Sequence, residues 1–160
     1  MTRTIVALLL ALASSGCALR PAPAASSAHE NPPGDARVAV VLDTAERNFV
    51  LAEMRQFVEA MRGIVQGIAD NDMKRVAAAA RTAGIEAHRA EFSDPRSLAS
   101  RVGKKAPPEF RKLGFATHRA FDEMALHADQ FGDREHLLRS LADTMGNCVA
   151  CHAAYRFPER

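Results

Sequence analysis

Four stretches of this 160-residue chain repeat apolar side chains at intervals of three and four, a rhythm that suits amphipathic helices packed on one another and little else. The first, about Arg37 to Ala69, carries Leu51, Met54, Val58, Met61, Val65 and Ile68 on one predicted face. A second begins near Asp70-Asn71-Asp72, which offers capping side chains and negative charge for a helix N-terminus, and runs to about Arg89. Its expected inner side is Val76, Ala80, Ala83 and Ala87, small enough to let backbones approach closely. From about Glu91 to Pro107, Pro95, Gly103 and the Pro107-Pro108 stop read as a loop. The third stretch, about Pro108 to Phe131, holds Phe110, Gly114, Thr117, Phe121, Met124, Ala128 and Phe131 in the same rhythm. Gly132-Asp133 then breaks the chain and caps a fourth, with Leu138, Leu141, Met145, Cys148, His152 and Tyr155. No stretch alternates as a strand would. An abundance of Ala, Leu and Arg favours helix, and the expectation is an all-α domain over residues 37–160, an antiparallel four-helix bundle.

The residues before this domain read differently. Arg3 precedes an apolar run from Ile5 to Ala13 that is too short to span a membrane, followed by Ser14-Ser15-Gly16-Cys17, the pattern of an export signal over residues 1–17. Residues 18–36 are rich in Ala, Pro and Ser and read as a flexible tether. Cys17 after small residues resembles a bacterial lipoprotein processing site, which implies a lipidated, membrane-tethered N-terminus. Ser14 departs from that pattern, where leucine is usual. The rival is ordinary cleavage further on, for instance after Ala22-Pro23-Ala24, which discards Cys17. Both readings put the mature domain outside the cytoplasm, in a bacterial periplasm.

The other two of the three cysteines lie in Cys148-Val149-Ala150-Cys151-His152. A C-x-x-C-H run reads as a c-type haem attachment site: two thiols about one helical turn apart bind one porphyrin, and the adjacent imidazole serves as axial ligand. A structural disulfide, a redox dithiol and half of a zinc site are the alternatives. Zinc needs two more ligands, and a thioredoxin-like dithiol belongs near a βαβ pattern. The continuation Cys148-x-x-Cys151-His152-x-x-Tyr155-Arg156, near a C-terminus and on a predicted helix, resembles the signature of class II c-type cytochromes, the cytochrome c-prime family. That resemblance implies one covalent haem c on Cys148 and Cys151, His152 as proximal iron ligand, and the same four-helix bundle. Because Cys148 and His152 fall on the apolar stripe, the haem is expected inside the bundle.

The resemblance also implies that the residue facing the iron from the first helix decides the chemistry. A methionine there makes six-coordinate iron suited to electron transfer; an apolar residue leaves a site for small gases. Met54 followed by Met61 looks like the Met-ligated relatives, and Arg47-x-x-x-Leu51 looks like the open-site members. Both registers lie on the predicted core stripe. The expectation is Met54 as sixth ligand, with Met61 the second candidate and Leu51 the open-site neighbour. Both methionines also suit plain core filling. Arg156 matches the family's arginine and, one turn beyond His152, could bind a haem propionate through its guanidinium fork, with Arg47 a second such candidate. Tyr155 reads as packing at the haem edge, His118 as a minor candidate for a distal or propionate contact, and His88, His127 and His136 as solvated or half-buried.

A formal net charge of +2 gives no reason to expect a nucleic-acid partner. Arg96, Arg101, Lys104, Lys105, Arg111 and Lys112 cluster around the second connection. They read first as a solvated basic loop, and otherwise as a patch for an acidic redox partner or anionic lipid. Relatives of the resembled family are often homodimers, which the sequence leaves open here. G-x-G-x-x-G, P-loop and H-E-x-x-H signatures are missing, so no enzyme is expected. The reading is a periplasmic monohaem electron carrier. Its rivals are a five-coordinate gas-binding protein of the c-prime type and a haem-free helical lipoprotein acting as an interaction module.

Overall fold

The computed structural model describes residues 34–158, and from Asp35 onward the chain forms one compact unit. The signal, Cys17 and most of the tether lie outside the described residues. What is described is all-α apart from one short strand pair. The elements are β1 (Val38–Ala39), α1 (Thr44–Ala69), α2 (Met73–Arg81), α3 (Arg89–Ser93), α4 (Leu98–Lys105), α5 (Pro108–Gln130), α6 (Arg134–Ala154) and β2 (Tyr155–Arg156), with a 3-10 turn at Glu86–His88. Among the described residues no helix is long and apolar enough to cross a membrane.

Each long helix starts where the local chemistry stops its backbone N–H groups going unpaired. Asp43 and Glu46 form a capping box on α1: Glu46 N–H donates to Asp43 Oδ1 at 3.0 Å and Asp43 N–H donates to Glu46 Oε2 at 2.9 Å. Asp72 Oδ1 accepts from Arg75 N–H at α2, and Asp133 Oδ1 accepts from Glu135 and His136 N–H at α6. Pro108 opens α5, where its missing N–H costs nothing. Asn71 and Gly132 take positive φ where α1 and α5 end.

Helix α1 packs on α2, α2 on α5, α5 on α6, and α6 back on α1, while α4 lies against α1. The α1–α2 contact is as close as small residues allow. A Cβ on Gly63 would stand 2.7 Å from Ala79 Cβ, and one on Gly67 2.7 Å from Val76 Cγ2. Ile64, Val76, Ala77, Ala80, Ala83, Phe121, Met124, Leu137 and Leu141 fill this core.

Several expectations are corrected. The predicted first helix begins late, because residues before Asp43 run extended and β1 pairs in parallel with β2, Val38 opposite Tyr155 and Ala39 opposite Arg156. For the same reason Tyr155 and Arg156 leave the fourth helix. The Tyr155 N–H closes on the Cys151 carbonyl and Val40 N–H donates to Arg156 O at 2.8 Å. The second helix stops at Arg81, and Ala87 is exposed. Gly84, just beyond, lies where a Cβ would strike Asp122, whose Oδ2 accepts from Ile85 N–H at 2.8 Å. The expected loop contains α3 and α4, the latter capped by Ser97 Oγ. The buried stripe of α1 runs through Val50, Ala60, Ile64 and Ile68, with Phe57 partly buried beside it, leaving Val58 59% and Val65 51% exposed. On α6, Leu137, Leu141 and Thr144 turn inward, whereas Leu138 and Met145 are about half exposed and Phe131, past the end of α5, is in solvent.

The basic cluster is largely neutralised by its own neighbours. Lys105 Nζ stands 2.6 Å and Arg101 Nη2 3.1 Å from the buried Glu46 carboxylate, and Arg96 and Lys112 pair with Asp94 and Glu109. The Lys105 ammonium and the Asp43 backbone N–H hold the Glu46 carboxyl below its ordinary range.

Candidate functional site

Cys148 and Cys151 are free thiols on the last two turns of α6, both half-buried, and burial pushes both upward in pKa. They open onto a largely apolar cavity of about 230 Å³. Val50, Met54, Phe57, Val58 and Met61 of α1 line it opposite Leu113, Gly114 and Thr117 of α5, with Asn147 and His152 from α6. The His152 residue as a whole is exposed, so it stands at the cavity's edge and does not belong to the buried stripe. Among the described residues no group of three or more His, Cys, Asp or Glu side chains converges as a metal site would require.

A second concavity of about 350 Å³ adjoins the first, lined by Arg37, Val40, Arg47, Leu51, Tyr155, Arg156 and Phe157 together with Met54, Phe110, Cys151 and His152. Met54, Phe110, Cys151 and His152 thus border both lobes. Of the three sixth-position candidates, Met54 alone does so: Leu51 lines only the second lobe and Met61 only the first. Tyr155 packs edge to face on Phe110 with centroids 5.4 Å apart.

Both predicted arginines border the second lobe. The Nε atoms of Arg47 and Arg156 are buried and neither has a hydrogen-bond partner, although burying a charged donor without an acceptor is costly. Arg156 Nε has Asp35 Oδ2 at 3.6 Å, beyond hydrogen-bond reach, while Arg37 holds that carboxyl down to about 2. Arg37 also donates through Nη1 to the His152 carbonyl at 3.2 Å, satisfying an end-of-helix acceptor. Its part in the site was hidden in the sequence, since it depends on the β1–β2 pairing. Phe157, stacked under the Arg47 guanidinium at 6.0 Å, was missed for the same reason.

Haem c suits this arrangement on four counts. Two thiols and an imidazole border one cavity, a thioether sulfur borders both lobes, two buried arginine Nε atoms there lack hydrogen-bond partners, and a Cβ on Gly114 would meet nothing within 4 Å. The same first lobe contains a pair that sequence reasoning largely passed over. Glu53 Oε1 is buried without a hydrogen-bond partner, 3.7 Å from His118 Nε2. Burial, with the Glu91 charge nearby, raises the Glu53 carboxyl to about 7, and burial lowers the pKa of His118. A glutamate between Val50 and Phe57, on the side of α1 that turns inward, was the available signal. His88 and His127 are half-buried and His136 is exposed; none of them lines either lobe. Comparison with family models, curated proteins and solved structures gave no match.

Proposed function

We propose that this chain is an exported monohaem c-type cytochrome, a four-helix bundle of α1, α2, α5 and α6 that transfers single electrons. The observation that carries the reading is the C-x-x-C-H run bordering a cavity that Met54 also borders, with two unpaired arginine Nε atoms in the adjoining lobe. Cys148 and Cys151 would hold the haem through thioethers, and His152 and Met54 would be the side chains that bind its iron. Held there, the haem would supply one-electron redox chemistry. Arg47 and Arg156 neutralise its propionates. Val50, Phe57 and Leu113 exclude water, and methionine ligation raises the potential.

The same reading puts the protein in a bacterial periplasm, tethered through a lipidated Cys17, with a redox protein as partner. Haem staining of a denaturing gel tests the attachment. A coloured band that disappears in the Cys148→Ser/Cys151→Ser variant is expected. An uncoloured wild-type band from a host that matures c-type cytochromes overturns the reading and favours a haem-free helical module.

A further inference from the structure

A third chamber, of about 240 Å³, lies between α1, α3, α4 and α5. Phe49, Phe92, Phe110 and Phe115 line it, and Glu53 and His118 belong to the wall it shares with the motif cavity. The His118 ring is fixed by Phe92, edge to face at 5.2 Å, and by Nδ1, which lies 2.7 Å from the Ala83 carbonyl. A carbonyl only accepts, so Nδ1 carries the proton and the neutral ring leaves Nε2 as an acceptor. Glu53 Oε1, 3.7 Å away, is too far to satisfy it and itself lacks a partner. Both groups therefore leave a hydrogen-bonding atom open to a small polar guest.

The volume suits a single ring: an apolar cavity of about 150 Å³ holds benzene, and drug-sized ligands take roughly 300 Å³ or more. Charge narrows the class. A cation would meet the Arg111 guanidinium on the same lining, and an anion would meet Glu53. Gly103 in α4 and Gly114 in α5 line the chamber, and a Cβ on either would meet nothing within 4 Å. Glycine is the poorest helix former after proline, and here no close backbone contact calls for it.

We propose that this chamber is a binding site for a small neutral phenol, its ring against the phenylalanines and its hydroxyl donating to Glu53 and His118. The chamber shares Glu53, Val102, Phe110, Gly114 and His118 with the motif cavity, whereas Phe49, Phe92, Gly103 and Phe115 border this chamber and not the motif cavity.

The test is a fluorine NMR titration of the full-length protein with para-fluorophenol and with para-fluoroanisole, which keeps the ring and loses the donor. A saturable shift is expected for the phenol, with the anisole about tenfold weaker or more. Gly103→Leu should abolish the shift while circular dichroism and the visible spectrum stay unchanged, and Ala99→Leu, filling the same chamber from the adjacent position, should do likewise. Equal binding of phenol and anisole, no saturable binding of the phenol, or phenol binding that survives both filled variants each overturns the proposal. So does binding that moves the visible spectrum of the filled variants, since the phenol would then sit at the motif cavity.

Discussion

The two ends of the helical unit are built on opposite terms. Around Ile64, Val76, Phe121 and Leu137 the chain fills its own interior, and Gly63 and Gly67 bring α1 against α2 with no room for one more methyl. Around Met54, Cys148 and His152 it leaves two joined lobes, with partnerless Nε atoms on Arg47 and Arg156 and an open glycine at Gly114. Protein interiors ordinarily pack to crystal-like density and pair their buried polar groups. An end that does neither, next to two free thiols and an imidazole, is an end shaped around something other than its own side chains. The filled half explains stability, and the unfilled half is where the proposed function belongs.

Substitutions can break that contrast. The largest effect belongs to Cys148→Ser/Cys151→Ser, which should eliminate covalent haem altogether; any stain retained on a denaturing gel would uncouple the cavity from the motif. Phe121→Ala, in the filled half, should cost about 3–5 kcal/mol of unfolding free energy in a denaturant titration while leaving the visible spectrum in place. A loss below about 1 kcal/mol would mean that this core is not packed as described. Met54→Ala borders open space, so its destabilisation should fall below the roughly 2–5 kcal/mol typical of a truncated core methionine, its signature being a change of iron spin state.

The smallest effect tests the charged rim. Asp43→Ala removes half of the capping box and should lower stability slightly near neutral pH, read in a denaturant titration. In the folded state the Asp43 and Glu46 carboxyls are held below their ordinary values of 3.8 and 4.5. Their contribution is therefore present above those values and lost as pH falls through the lower folded ones. The gap between wild type and variant should close in acid; a constant gap down to low pH would assign the effect to packing.

How much of this was legible depended on whether the cause was local. Gly132-Asp133, Pro107-Pro108 and Asp70-Asn71-Asp72 punctuate the helices from chemistry within one turn, so those boundaries could be read directly. The end of α6 is set by β1 meeting β2 across more than a hundred residues of sequence, and no periodicity records that. The start of α1 is set locally by the Asp43–Glu46 capping box, which apolar counting passes over. Pro158, which disfavours helix in the residue before it, was the one local hint that α6 stops early. The apolar face of α1 was misplaced by about one position. Glu46 and Glu53 sit on its inner side, where apolar counting skips them, and the glycines and alanines facing α2 weigh little on any hydrophobic scale. Cys148, Cys151, His152 and Met54 all line the motif cavity. His152 does not lie deep on the stripe, because only Leu137, Leu141 and Thr144 of α6 are fully buried.

The absorption spectrum of the reduced protein, with and without carbon monoxide, tests the central claim most directly. A six-coordinate low-spin ferrous spectrum that ignores carbon monoxide in the wild type, and becomes high-spin and responsive to it in Met54→Ala, is the predicted result. A wild-type spectrum that is already high-spin and shifts with carbon monoxide would contradict the account and give the site beside Leu51 to a small gas.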